Sequence, residues 1–445
     1  MKLKKILPVF VLGFAVIAMS SCNKDKYGVT YTYKTKKAVY MSYEDLRSSV
    51  KSDDVQDLKN PGKIYMKDNY LFVNEVKKGI HIIDNTDPSN PVKESFINIP
   101  GIRDITIVGN TLYADSYVDF VTIDISDVKN VQEISRKEHV FPYEETLDME
   151  VEWGENYEYD TTKGVVTHWE KVIISETFTN ADDRPETQEW LKGKQAESEA
   201  ADNSTGKSGT STGSASDVYW GGTGSGGSMS RFATKCDILY VLTNSNLISF
   251  DISNPGSAGE VNRQYVGWNV ETIFPHEDKL YIGGQTGMHI YDVSACENPS
   301  LISTYDHVTS CDPVIVDGDY AYVTIRSGTD CRWGTNMLDV VDISDPYNPT
   351  EVSSTGMSNP HGLAKAGNNL FVCDGNNGLK VFDVSDPTEI TTKKNSFPDI
   401  NAFDVIADRK HSNLIMIGED GLYQYDYSDI DNIKQFSVIP VVSTE

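Results

Sequence analysis

One phrase recurs along this chain: an apolar run, an Asp, a Ser or Thr two positions on, and in several copies a closing Asp-Pro. It reads "IHIIDNTDPSNP" at 80–91, "LDVVDISDPYNP" at 338–349 and "LKVFDVSDP" at 379–387. Aligned on the first Asp there are seven instances: Asp84, Asp124, Asp251, Asp292, Asp342, Asp383 and Asp426. The spacings are 40, 127, 41, 50, 41 and 43, so four of the six lie at one period and the two departures, 127 and 50, mark insertions. With 24 Tyr and 15 Phe the chain favours strands. A strand-rich repeat of roughly 40–45 residues predicts a β-propeller, in which each unit is one blade.

The unit ending at Asp383 resolves into strands. "HGLAKAG" leads to a polar turn at Asn368 and Asn369, then "LFVCD", the turn "GNNG", "LKVFDVS", a Pro-marked turn and "EITTKKNSF". That is four short strands separated by Gly, Asn and Pro. The two middle strands recur along the chain, as "YLFVNE…GIHIID", "KLYIGG…MHIYD" and "YAYVTI…LDVVD" among others. Their apolar residues are consecutive rather than alternating, which predicts sheets covered on both faces. One such sheet buries too little by itself, so neighbouring units must stack. The expected fold is all-β: a seven-bladed propeller of four-stranded blades over residues 39–440. Six or eight blades remain alternatives, because "VYMSYEDLRSS" (39–49) either adds a strand at the closure or runs beneath the disc.

The segments "LFVCDGNNGLKVFDVSDP" and "YLFVNEVKKGIHIIDNTDPSNP" resemble the LVIVD repeat of bacterial, largely lipoprotein, β-propellers. So do "VYMSYEDLRSSV" (39–50), "GGSMSRF" (226–232), "GWNVETIFP" (267–275) and "NPHGL" (359–363). The resemblance implies a fold and a cell-envelope address. It implies no established reaction.

The N-terminus agrees with that address. Lys2, Lys4 and Lys5 precede an apolar run at 6–18, too short for a comfortable membrane span, and "MSSCNKD" follows. The Cys after two serines resembles the lipobox of bacterial lipoproteins. Residues 1–21 would then be a lipoprotein signal peptide, Cys22 the lipidated mature N-terminus and 22–38 a stalk. Asn23, rather than Asp, follows the Cys, which favours the outer membrane, facing the periplasm or the cell surface. The net charge of −27 makes nucleic acid an unsuitable partner, because its phosphates would be repelled. Export places five further cysteines in an oxidising compartment, and their odd number leaves a free thiol. Cys331 falls in an inserted loop, "RSGTDCRWGTN", 20 residues after Cys311, and a disulfide between them would pin that loop. Cys373, in "LFVCD", reads as a buried thiol. No C-x-x-C spacing favours zinc or thioredoxin-like chemistry, and no cofactor is expected.

The large insertion spans 141–227. "EETLDMEVEW" and "GVVTHWEKVIISET", on either side of "DTTKG", predict a hairpin over 146–176. Trp153, Tyr157, Tyr159 and Trp169 share it with eight acidic residues in 144–160. Residues 181–227 are rich in Gly, Ser and Thr, a composition that predicts a mobile loop. "TGKSG" lies in this low-complexity stretch and lacks the strand-to-helix context of a phosphate loop.

The repeated Asp residues number seven at one structural position and raise the question of calcium. Calcium loops gather several oxygens in one short segment, whereas each unit here offers one or two. An Asp at a strand end that accepts from the N–H two residues on closes an Asx turn, and that scaffold role is the preferred reading. Any function should lie instead where the units differ. Some nine residues before each second strand, where the innermost strand enters the central channel, stand Arg103 or Asp104, Arg231, Glu271, Asp312, His361 and Asp404. These are the candidate ligand-binding residues of the channel mouth. No spacing selects a nucleophile, an acid/base pair or a metal set among them, so no catalytic or metal-binding residue is assigned. The expected function is an envelope-anchored binding module, with a protein or glycan as ligand. The alternative is an envelope enzyme, a glycan or peptide hydrolase or lyase, working at the channel mouth.

Overall fold

In each unit the turns marked by Gly, Asn and Asp are tight enough to lay consecutive strands side by side. Each therefore folds as an antiparallel meander. The computed structural model describes residues 29–147, 159–178, 224–306, 313–326, 336–397 and 400–442. Among the described residues there are seven such meanders, spanning 61–98, 105–137, 232–265, 270–306, 314–356, 363–397 and 402–440. They are blades 1 to 7 of a β-propeller. The first strands of neighbouring blades contact one another, so those strands line the central channel.

The middle strands are buried almost end to end, as in Tyr70–Glu75 and Gly79–Asp84 of blade 1, while the outer strand Lys434–Pro440 of blade 7 is largely exposed. Each pair of neighbouring blades shares one apolar cluster, and there are seven of these. Between blades 2 and 3, Phe120 stacks on Tyr113 and on Phe250, with ring centroids 6.1 and 4.5 Å apart. Burial against the neighbour, rather than within one sheet, holds the ring together. Blade 7 meets blade 1 through Ile406, Ile415 and Leu422 packed on Ile64, Leu71 and Ile83. A short parallel bridge between Leu58 and Val441 joins them, where the Val442 N–H donates to the Leu58 carbonyl at 2.8 Å.

All seven repeated Asp residues close Asx turns. In each, Oδ1 accepts from the backbone N–H two residues on, at 2.8–2.9 Å. The hydrogen bonds from the Ser or Thr hold the exposed carboxyls of Asp84, Asp251, Asp342 and Asp426 below the usual range. Six blades repeat the device three residues later, through Asp87, Asp127, Asn254, Asp345, Asp386 and Asp429. Blade 4 has Ala295 at that place. The next residue, Cys296, is disulfide-bonded to Cys236 in the first turn of blade 3, a link between blades across 60 residues. Cys373 is free and buried, and burial pushes its thiol well up. Cys22, Cys311 and Cys331 lie outside the described residues.

The 39–50 stretch neither completes a blade nor changes the count. Tyr43–Arg47 forms one helical turn capped by Ser42, whose Oγ accepts from the Asp45 N–H at 3.0 Å. Leu46 is buried there against Tyr117, Val118 and Val165. Lys51–Asp53 then pairs outside Val92–Asn98, as an extra edge strand of blade 1.

Val165–Phe178 pairs with Val29–Met41 in a two-stranded sheet. Long-range pairing thus takes up the second half of the expected hairpin, and 148–158 lie outside the described residues. The latter part of the expected stalk, from Val29, is likewise strand. The outer parts of these two strands, 29–37 and 169–178, form a unit separate from the propeller. The end of the segment expected to be mobile is ordered as well, because Gly224–Gly226 is a strand. No helix among the described residues is long and apolar enough to cross a membrane.

Candidate functional site

The propeller has two faces. The lower face carries the Asx turns, and on the upper face each blade's first strand begins. The described candidate residues lie on the upper face, where backbone pins of one kind recur between blades. Asp115, at the end of the second strand of blade 2, accepts from the Arg103 and Asp104 N–H groups at 2.9 and 3.0 Å. Glu75 does the same for Lys59 and Asn60 in blade 1, and Asp374 for Ser358 and Asn359 in blade 6.

Asp104, 5% exposed, is the hub of the upper channel. Its Oδ2 accepts from Lys63 Nζ of blade 1 at 2.9 Å and from the Arg231 N–H at 2.5 Å, and Oδ1 accepts from the Ile105 N–H at 2.8 Å. The Arg231 guanidinium donates to Asn244 Oδ1 at 3.2 Å, while its buried Nε has no partner. Arg103 donates to the Glu145 carbonyl, and Glu145 Oε2 accepts from the Asn244 N–H at 2.9 Å. Burial and the neighbouring Arg103 lower the Arg231 pKa, against the pull of Glu145, Asp115 and Asp104. Between these groups is a cavity of about 30 Å³. A water needs at least ~10–15 Å³, so the cavity admits water but no sugar ring.

A strand that sequence reasoning missed fills part of the channel. Gly224–Gly226 pairs with Lys67, Met66 and Tyr65 on the channel edge of blade 1, and the Gly227 N–H continues to the Ile64 carbonyl at 3.2 Å. Ser228 Oγ then accepts from the Leu363 N–H of blade 6 at 2.8 Å. This strand presses on Asp404. A Cβ on Gly227 would stand 1.9 Å from Asp404 Oδ2, and one on Gly362 would stand 2.2 Å from Oδ1. Only glycine allows the three segments to approach this closely.

Asp404 is 2% exposed. Oδ1 accepts from the Val405 N–H at 3.0 Å, and Oδ2 has no well-formed partner. Burial pushes its pKa up to about 7, with the Val405 N–H and Lys63 pulling it back and Asp104 adding to the rise. The Lys63 ammonium is bonded to Asp104 and reaches Asp404 only as a nearby charge, so burial prevails and Asp404 is inclined to keep its proton. His361 stands on the same face with its ring edge-on to Phe403, centroids 5.7 Å apart. Its Nε2 is buried without a partner. Burial, reinforced by Arg326, lowers its pKa to about 4. Glu271 occupies a bulge between Val270 and Thr272 in blade 4, and Asp312 lies outside the described residues.

The structure therefore brings Arg103, Asp104 and Arg231 into one ionic cluster and links it to Asp404 through Lys63. Lys63, Asp115 and Glu145 were missed. Lys63 was within reach of the offset rule, since it stands seven residues before the second strand of blade 1, as Arg231 does in blade 3. Among the described residues no group of three His, Cys, Asp or Glu is placed to hold a metal ion.

The lower mouth differs. A bowl of about 410 Å³ opens there, lined by the first strands of blades 1 and 4–7 and by the glycine strand. Met66, Phe274, Ile315 and Val405 give it apolar walls, with Lys365, Arg409 and Lys410 at the rim. No sequence pattern pointed to it, because its residues are ordinary inward positions of channel strands.

The LVIVD repeat family matches residues 61–97, 310–355 and 361–396, which are blades 1, 5 and 6. The chain is a propeller with LVIVD repeats. Blades 2, 3, 4 and 7 keep the Asx turn of these repeats without matching the family. No curated protein sequence matches the chain. Among solved structures, the periplasmic gluconolactonase of Pseudomonas aeruginosa superposes with a TM-score of 0.51 at 10% identity, over 86% of this chain and 97% of that one. PorZ, a surface component of the type-IX secretion system of Porphyromonas gingivalis, gives 0.46 at 10% identity, over 88% and 39%. A protein from Lactobacillus plantarum gives 0.38 at 15% identity, over 46% and 68%. At these identities the likeness is one of fold.

Proposed function

We propose that this LVIVD-repeat propeller is a non-enzymatic binding module, held by a lipid on Cys22 at the outer membrane and facing the periplasm or the cell surface. The observation that carries the binding reading is the closed environment of Asp104 at the upper mouth. Asp104 spends its oxygens on Lys63, Arg231 and Ile105, and the adjoining cavity has the volume of a water or two. Hydrolysis of a glycan there would need two carboxyl groups open to a sugar. The basic head, short apolar run and "SSC" of the N-terminus support the anchor, and a disulfide between blades suits an oxidising compartment.

One observation favours the enzyme reading. Asp404 and His361 are both displaced toward neutral forms by burial and carry unpartnered atoms, the signature of a poised acid or base. A panel of glycans and peptides incubated with the wild type and with Asp404→Asn and His361→Ala separates the two. Turnover that disappears in either variant replaces the binding reading with the enzyme. Metabolic labelling with an alkyne fatty acid tests the anchor: label should enter the wild type and not Cys22→Ser, and an unlabelled wild type refutes lipidation.

A further inference from the structure

We infer that the lower channel mouth is a binding site for a small amphiphilic anion, an apolar body bearing one carboxylate. This rests on the reading that the protein binds rather than transforms its ligand. It moves the ligand from the upper mouth to the opposite end of the channel.

Three observations converge. The bowl's 410 Å³ lies within the ~300–1,000 Å³ range of small-molecule sites and contrasts with the water-sized cavity above. Its walls are aliphatic and aromatic down to Ser225 and Ser228 of the glycine strand, which close it from within. A ligand body inserted there would leave water for an apolar surface, the main driving force for such sites.

The rim supplies the polarity. Lys67 and Lys235 end the first strands of blades 1 and 3 on this face, but each is paired with an acid, Asp68 and Asp278. Lys365 is likewise paired with Asp317. Two cations remain. Arg409 donates Nε and Nη2 to the Lys365 carbonyl at 3.1 and 2.9 Å, which fixes the plane of its guanidinium. Its nearest acid, Asp317, is 3.8 Å away, and its side chain is 61% exposed. Lys410 is tied through its backbone N–H to Asp408 Oδ1 at 3.0 Å, and its ammonium has no ion partner among the described residues. On a chain of net charge −27, which repels anions over most of its surface, these two cations beside an apolar bowl create a local preference for one. A positioned guanidinium suits a carboxylate, whose two oxygens match its fork.

The test uses the full chain in detergent, with octanoate as probe, octanol as the neutral body and acetate as the bare headgroup, by isothermal titration calorimetry. Octanoate should bind saturably, octanol about tenfold or more weakly and acetate not at all, since a charge-assisted bond accounts for that factor. The double variant Arg409→Ala/Lys410→Glu, at exposed positions, should lose octanoate affinity about tenfold or more. Ala407→Trp, which fills the bowl, should abolish binding. The charge variant keeps the test valid should the bulky one misfold. Absence of octanoate binding at millimolar concentration, equal affinity for octanol, or unchanged affinity in the double variant overturns the proposal. These failures remove this site alone. Turnover lost in Asp404→Asn would instead remove the binding-module reading, while octanoate would still respond to the rim charges.

Discussion

Asp404→Asn should make this protein more stable above neutral pH and leave it nearly unchanged in mild acid. A carboxyl whose pKa rises from 3.8 unfolded to about 7 folded binds its proton more tightly in the native state. Stability therefore falls as pH climbs between those two values, and the whole cost is present above about 7. That gap corresponds to a cost on the order of 4 kcal/mol. Asparagine mimics the protonated acid and keeps the acceptor for the Val405 N–H, so it removes most of the cost. For a propeller of this size that is roughly 5 °C in Tm. His361 works in the opposite sense. Its pKa falls from 6.5 to about 4, so its contribution is present at neutral pH and lost as pH drops through that window. In the wild type the two slopes oppose one another between about pH 4 and 6.5. In Asp404→Asn the His361 slope stands alone, and the variant should lose stability steadily on acidification. Scanning calorimetry of both proteins from pH 4 to 8 reads this directly, because other titrating groups cancel in the difference. A Tm gain that is the same at pH 4.5 and pH 8, or a loss at pH 8, would refute the account of a carboxyl whose pKa is raised by burial.

Three further outcomes follow from the geometry. Asp342→Ala removes an Asx acceptor bonded at 2.9 Å to Ser344, so the urea midpoint should drop by an amount equivalent to ~1 kcal/mol, with chelators leaving the wild-type midpoint unmoved. Gly227→Ala drives a methyl into Asp404, so it should destabilise by ~2 kcal/mol or more, partly relieved when combined with Asp404→Gly; equal losses in single and double variants would refute the contact. Reduction of Cys236–Cys296, which closes a 60-residue span, should cost about 4 kcal/mol on the loop-entropy account, and peptide mapping without reduction should recover the two cysteines joined.

What could be read from the sequence was local and repeated. The Asx turn is written within three residues and seven times over, so both the blade count and the scaffold role of Asp342 follow from spacing. The glycine strand was illegible for the opposite reason. A stretch such as "GGTGSGGS" has no large side chains to signal order, and its described end, from Gly224, is held as a strand where another blade's backbone and the Asp404 carboxylate leave room for nothing larger. Val165–Phe178 misled in a similar way, since its partner is more than a hundred residues away rather than across the nearest turn. Cys236 and Cys296 are brought together by blade stacking, which cysteine spacing does not encode. At the upper mouth the offset rule found the right neighbourhood. It could not show that Asp104 would be taken up by Lys63 and the Arg231 N–H, or Arg103 by Glu145, because that depends on which groups cross between blades.

Each blade contains its own four strands, so no strand is exchanged where blade 7 meets blade 1. The ring is clasped there by side chains and a short bridge at Leu58 and Val441. Parting that seam would break the bridge, the apolar interface and the Gln424–Asn85 and Ser437–Pro88 hydrogen bonds while leaving each blade's four strands paired. Hydrogen exchange at Val442 would register such a parting, since its N–H makes a backbone bond across the join. The same construction leaves the number of blades open to change, because a unit added or lost between two others disturbs the circumference and not the design of any blade.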